Sequence, residues 1–208
     1  GHNMLVKSAD EVIEYYSRYV EIQTKLNYAC DGVVIKVDRL DFQRHLGTVG
    51  REPKWAIAFK FPSEQKETTL LDIKFNVGRT GSINPYAILN PVQIGGANIR
   101  QATLHNEDYI KSKDLRIGDA VIVERAGEVI PQVVHPIPSK RDGSETELQM
   151  PTNCPVCNHV IFSSQDEAMS YCVNSRCPAQ TSKMVEHFVS KGAMDIQGIG
   201  PKQIQVLI

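Results

Sequence analysis

Four cysteines within one short segment constrain this chain more than any other feature. The stretch "CPVCNHVIFSSQDEAMSYCVNSRC", residues 154–177, spaces them C-x2-C-x14-C-x4-C. Two close pairs about 15 residues apart can wrap four thiolates tetrahedrally around one Zn²⁺. A segment this small cannot build an apolar core, so metal binding must supply its folding energy. Cys154, Cys157, Cys172 and Cys177 are the expected ligands. Thiolates suit zinc or iron–sulfur. His159 could compete, but four cysteines already complete the shell. A closed shell has no open position, so the expected site is structural, not catalytic. Cys30 stands alone. An odd cysteine count, with no apolar signal core in "GHNMLVKSADE", points to a reducing, cytoplasmic setting. That start also reads as a tag scar or an upstream truncation.

The 208 residues suffice for one large domain or two to four small ones. Ser8 to Leu26 is predicted helical, with Ser8 and Glu11 in a capping-box pattern. Val12, Ile13, Tyr16, Tyr19 and Val20 recur at helical spacing. Asp31–Val37 and residues 55–61 read as strands, and Asp38 as the cap of a short helix around Phe42–Leu46. From Thr68 to about Val134, short β-runs ("TLLDIKFNV", "AILNPVQI", "DAVIVER", "EVIPQVV") predict a small barrel. The stretch "LHNEDYIKSK" adds one short helix, as oligonucleotide-binding (OB) barrels often do. Residues 136–148 read as a polar linker. Pro178 opens a helix through Ser190, and a last helix starts near Pro201.

Two strands carry an odd lysine each. In "WAIAFKF" (55–61), Lys60 shares a face with Ala56 and Ala58, while Trp55, Ile57, Phe59 and Phe61 take the other. In "DGVVIKV" (31–37), Lys36 shares a face with Gly32 and Val34. Each lysine lies on the smaller-residue side, which leaves room for a ligand. Two such strands side by side would offer two ammonium groups to one cleft, where a phosphate-bearing ligand satisfies both. Asp31 is placed to hold a cation or orient a lysine. Alternatively, both lysines reach water from edge strands.

Net charge is −1, so any nucleic-acid contact must be local. No apolar run approaches the roughly 20 residues of a membrane span, so no membrane partner is expected. "VGRTGSINP" sets Arg79 and Thr80 between glycines, and "ERAGEVIPQ" sets Arg125 in a hairpin. Arginines on such turns can approach a backbone phosphate, or they are simply solvated. "GIGPK" (198–202) puts Gly198 and Gly200 before a helix start, with Lys202 adjacent. Such a turn can bind phosphate through backbone N–H groups or form an ordinary helix–helix corner.

"DGVVIKV" followed by "WAIAFKF" resembles motifs IV and V of the covalent nucleotidyltransferases, and in detail the bacterial NAD-dependent DNA ligases. The likeness continues through "VGRTGSINPYAILNPVQIGGANIRQATLHNED", "RIGDAVIVERAGEVIPQVV", the cysteines and "FVSKGAMDIQGIG", and covers nearly the whole chain. The fold this implies is multidomain α+β. Residues 1–65 would end an adenylation (nucleotidyltransferase) domain and 66–142 would be an OB domain. Residues 143–180 would be a four-cysteine zinc finger, and 181–208 the start of a helix–hairpin–helix domain. Lys60 and Lys36 would serve catalysis and cofactor binding at the AMP phosphate, and Asp31 metal or nucleotide handling. Arg79, Thr80, Arg125, Gly198, Gly200 and Lys202 would contact DNA. His105 and Glu107 belong to the family's "ATLHNED" stretch, where a structural histidine is expected.

The implied cofactors are NAD as adenylyl donor, structural Zn²⁺, and catalytic Mg²⁺ or Mn²⁺. The implied partner is nicked duplex DNA, met by a monomer with a nucleoid-associated role. The sequence departs from the family at Gln23, where arginine is common, and at Leu26-Asn27-Tyr28-Ala29-Cys30 before motif IV. The family's nucleophile, the lysine of a Lys-x-Asp-Gly motif upstream of motif IV, is expected to be absent. The chain therefore reads as an internal ligase fragment that is inactive alone. The competing expectation is a non-catalytic nucleic-acid-binding module, OB barrel plus zinc finger. An RNA-capping nucleotidyltransferase shares motifs IV and V, but the cysteine finger in this order argues against it.

Overall fold

The computed structural model describes residues 3–28, 30–125, 130–163 and 169–208, apart from the side chain of Thr24. The chain divides into two compact units, Gly1–Ser63 and Glu64–Ile208.

In the first unit, helix α1 (Ala9–Ile22) starts where Ser8 accepts the Glu11 N–H at 3.2 Å. The reciprocal half of the capping box shifts by one residue: Glu11 accepts from the Lys7 N–H at 2.8 Å. A 3-10 turn follows at Gln23–Lys25. Strand β1 (Gly32–Lys36) pairs antiparallel with β4 (Ala56–Lys60). Bonds from Phe61 N–H to Asp31 O (2.8 Å) and from Val37 N–H to Trp55 O (2.9 Å) lengthen the ribbon at both ends. Helix α2 (Leu40–Leu46) and the short strands β2 (Thr48–Val49) and β3 (Glu52–Pro53) connect the two. Asp38 does not cap α2. Arg39 occupies the N-cap position, one residue later, and instead clamps Asp41 at 3.0 and 2.5 Å. Tyr16 of α1 stacks on Phe59 at 3.9 Å and donates to the Lys60 carbonyl at 2.9 Å.

In the second unit, β5 (Glu64–Val77), β6 (Ile83–Ile94), β7 (Ala97–Thr103), β9 (Ala120–Arg125) and β10 (Gln132–Pro136) pair in the order β10-β7-β6-β5-β9 and close on themselves. The sheet is mixed: β10 runs parallel to β7 at Gln132–Thr103 and all other pairs are antiparallel. Register shifts in β5, β6 and β10 bend the strands enough for closure. Period-2 burial along β6 sends Ile83, Ala87 and Leu89 inward. Ala87 and Leu89 join Leu70, Leu104, Val121, Val123 and Val133 in the barrel core, while Ile83 packs with Val77 and the cysteines. Strand β7 falls outside the expected β-runs, because in "ANIRQAT" only Ile99 and Ala102 are buried. Helix α3 (Glu107–Ser112), capped by Asn106 on the Tyr109 N–H at 2.8 Å, adds Ile110 to that core.

Residues 136–148 are not a free linker. Arg141 grips the fully buried Asp119 at 2.6 and 2.9 Å and Asp114 at 2.6 Å. Strand β11 (Thr146–Glu147) pairs with β8 (Arg116–Ile117), and Leu148 packs on the core. Asp119 also accepts the Arg116 N–H at 2.7 Å, so its buried charge is fully met. Strands β12 (Ile161–Ser163) and β13 (Ser170–Cys172) form a hairpin. Helices α4 (Pro178–Val189) and α5 (Pro201–Leu207) end the chain.

Candidate functional site

The two lysine strands do lie side by side. Lys60 faces Gly32 and Lys36 faces Ala56, so both lysines share one face of the ribbon at opposite ends. The two positions lie four residues apart along the strand, about 13 Å at ~3.3 Å per residue. The flexible side chains can close part of that gap. A ligand touching both must be longer than one phosphate unless the lysines converge on it. Lys60 donates to Asp31 at 2.7 Å, with both side chains about two-thirds exposed. The ammonium beside it holds the Asp31 carboxyl below the usual carboxylate range. Asp31 and Lys60 are thus paired across the ribbon. A cavity of about 870 Å³ runs along β1 and includes Lys36, Tyr15, Tyr19 and Tyr28. Lys60 lies outside its lining, so the cavity takes in one lysine of the pair and not the other.

The Arg79–Thr80 pair sits at the tip of the β5–β6 turn, both side chains exposed. Two backbone bonds tighten the turn: Gly78 N–H to Ser82 O (2.8 Å) and Gly81 N–H to Gly78 O (3.0 Å). Arg125 ends β9, half-buried. The hairpin tip that follows it, residues 126–129, lies outside the described residues. His105, at φ +58°, bonds Gln132 at 2.8 Å and meets Tyr109 edge-on. Gln132 in turn donates to Glu124, which also accepts from Gln65 at 2.9 Å. That chain ties three barrel strands together, the structural role expected of this histidine.

All four cysteine sulfurs lie within 4.8 Å of one another. Cys154 and Cys177 are 4.0 Å apart, Cys157 and Cys172 3.5 Å. A tetrahedron of Zn–S bonds near 2.3 Å has edges of about 3.8 Å, so the four thiols fit that metal. The knuckle is set locally: Cys154 N–H donates to His159 O at 2.8 Å, and Asn158 N–H to Cys154 O at 3.0 Å. Asn158 adopts φ +57°, a conformation asparagine tolerates. The His159 backbone N–H and the Asn174 side chain hold the Cys157 thiol down at about 6. Burial pushes the Cys172 thiol up to about 12. His159 contributes backbone here, and the sulfur quartet is complete without its ring.

The turn Gly198-Ile199-Gly200 precedes α5, with Gly198 at φ +86° and Lys202 exposed. The Gly200 N–H is already taken by the Gln203 side chain at 3.1 Å. The letters Lys-x-Asp-Gly, expected to be absent, occur once, at Lys140-Arg141-Asp142-Gly143. They lie far downstream of Asp31, and their environment is structural. Lys140 pairs with Glu67, and Arg141 with Asp119 and Asp114. The tetrapeptide therefore closes a turn on the barrel and is no free nucleophile.

Sequence reasoning missed two side chains that organise these sites. One is Arg141, hidden in what reads as linker. The other is Gln180, only 6% exposed, whose amide donates to Cys172 O at 2.8 Å and Asn174 O at 3.2 Å. Its signal was available: a polar residue three places after a ligand cysteine, on the first turn of a helix.

Three family models match the chain. Residues 2–64 match the NAD-dependent DNA ligase adenylation domain, 67–145 the NAD-dependent DNA ligase OB-fold domain, and 153–179 the NAD-dependent DNA ligase C4 zinc finger domain. A DNA ligase of Roseiflexus sp. (strain RS-1) is 52% identical over 200 residues, covering 96% of this chain and 28% of the relative. A DNA ligase of Desulfosudis oleivorans is 51% identical over 197 residues, covering 95% and 29%. One of Rubrobacter xylanophilus is 52% identical over 193 residues, covering 93% and 28%. The chain thus spans less than a third of the length of these relatives. Among the described residues, no helix is long and apolar enough to cross a membrane.

Proposed function

The chain belongs to the NAD-dependent DNA ligase family, and from that premise we propose that the protein seals nicks in duplex DNA with NAD as adenylyl donor. AMP passes from NAD to a lysine amine, which loses a proton as nicotinamide mononucleotide leaves. AMP then passes to the 5′-phosphate at the nick with release of the lysine, and the 3′-hydroxyl displaces AMP to form the phosphodiester. The observation that carries this reading is the pair Lys36 and Lys60 on one face of the β1–β4 ribbon, inside the match to the adenylation domain. Fixed positive charge at a reacting phosphorus lowers the barrier by stabilising charge that develops in the transition state. Lys60 contacts the AMP phosphate, and Asp31 keeps its ammonium aimed. Lys36 meets the same nucleotide from the other end of the ribbon. A Mg²⁺ or Mn²⁺ ion accompanies the phosphates. The nucleophilic lysine lies outside these 208 residues.

In the second unit, Arg79, Thr80 and Arg125 grip DNA phosphates without reading sequence. Cys154, Cys157, Cys172 and Cys177 hold a structural zinc, which supplies folding energy and no chemistry. The α4–α5 corner with Gly198, Gly200 and Lys202 opens a helix–hairpin–helix that adds a weaker DNA contact. The protein acts as a cytoplasmic, nucleoid-associated monomer.

Nick sealing by the native gene product tests the proposal. Lys60→Ala is expected to slow sealing by about 10²–10³, the usual cost of removing one preorganised charge-stabilising donor. Zinc content and secondary structure should be unchanged. Wild-type sealing by that variant sinks the catalytic assignment. It would then favour the alternative, a nucleic-acid-binding module built on the second unit.

A further inference from the structure

The turn that carries Arg79 and Thr80 is built into the cysteine site. On its outer side, Cys172 N–H donates to Gly81 O at 2.8 Å, and Ser82 bridges Tyr171. Gly81 sits at φ +86°, and a Cβ there would lie 2.3 Å from the Cys172 carbonyl oxygen and 3.1 Å from the Gln180 amide nitrogen. Only glycine permits that approach. The same Cys172 carbonyl accepts the buried Gln180 amide at 2.8 Å. On the inner side, Val77 and Ile83, which flank the turn, pack with Cys154, Cys172 and Cys177 in one cluster. Cys172 is thus fixed through its sulfur, its N–H and its carbonyl at once.

We infer that Gln180, acting through the Cys172 backbone, is a positioning residue for the Arg79–Thr80 turn, so that metal loading of the cysteine site sets how this turn meets a DNA phosphate. The inference rests on the reading of Arg79 as a DNA contact. A glycine-flanked arginine left unclamped must be ordered at the moment of binding, and that ordering opposes affinity. The clamp removes this cost in advance.

The test uses the zinc-loaded chain and a fluorescein-labelled nicked duplex, with anisotropy followed across a salt series. Arg79→Ala should weaken binding and lower the slope of log K against log salt by about one, as for one lost phosphate contact. Gln180→Met keeps the volume but removes both amide bonds. It should retain bound zinc, weaken binding about threefold to tenfold, and leave little further loss when Arg79→Ala is added. Amide exchange at Thr80 and Gly81 should quicken without DNA present. If Gln180→Met does not hold zinc, Gly81→Ala reads the same link, because it strikes the Cys172 backbone carbonyl and leaves all four sulfurs in place. A zinc-loaded Gln180→Met or Gly81→Ala that binds like wild type, while Arg79→Ala weakens binding, overturns the inference and leaves the DNA reading standing. So does full additivity in the double variant. An Arg79→Ala chain that binds like wild type overturns the DNA reading, and the inference with it.

Discussion

The first unit exposes what the second unit buries. Among the described residues of Gly1–Ser63, Tyr19 and Phe61 are the buried hydrophobics. On its two-stranded ribbon, Val34 is 60% and Ile57 65% exposed. In Glu64–Ile208 a closed ring of strands surrounds fully buried Leu70, Leu104, Val121, Val123 and Val133. A two-stranded ribbon with two helices and one short strand pair encloses little core, whereas five strands closed on themselves enclose one. Lys36 and Lys60 therefore stand on the less self-sufficient scaffold, and Arg79 and Arg125 on the closed barrel. A third regime lies inside the second unit. Around the cysteines the buried cluster is little more than Val77, Ile83 and the thiols themselves, so order there depends on a metal.

The largest expected effect divides the second unit. Stripping zinc with a chelator removes binding energy on the order of 10 kcal/mol. Amide exchange in β12, β13 and α4 should then approach that of an unfolded chain, while the barrel strands keep their protection. Uniform loss across the barrel would erase the distinction.

The next effect contrasts two ion pairs. Arg141→Ala strands Asp119, which is 0% exposed, and should cost about 3–5 kcal/mol by urea unfolding. Lys60→Ala opens a pair whose members are both mostly exposed and should cost no more than about 1 kcal/mol. Packing gives a similar contrast. Leu70→Ala in the barrel should cost about 2–5 kcal/mol. Ile57→Ala on the ribbon should stay within about 0.5 kcal/mol. Equal costs would mean that Ile57 is covered in solution.

The smallest effect is acid titration of the ribbon. The Asp31 carboxyl is held low by the Lys60 hydrogen bond and charge. Its contribution is therefore present above the ordinary aspartate pKa and is lost as pH falls through the lowered one. Side-chain NMR should show Asp31 titrating below the usual carboxylate range, and Lys60→Ala should return it to normal. An Asp31 that titrates normally in the wild type removes the pair.

Much of this was legible in the sequence because the signals were local. Cysteine spacing gave the sulfur quartet, strand alternation put Lys36 and Lys60 on one face, and Ser8 marked the start of α1. What escaped was set by distant partners. Residues 136–148 look like linker until Asp119, buried by barrel closure, captures Arg141. Strand β7 has too few apolar residues to show a period and is held by its neighbours on both sides. The cap of α2 falls at Arg39, one residue after Asp38, with no side-chain bond to the helix N–H groups. The Lys-x-Asp-Gly letters at 140–143 show the converse, a motif without its context.

Intact mass of the native gene product, before and after incubation with NAD and Mg²⁺, tests the central claim most directly. The account predicts a gain of one AMP in the wild type and a gain strongly reduced by Lys60→Ala. No gain in the wild type, with zinc bound and the protein folded, would contradict it.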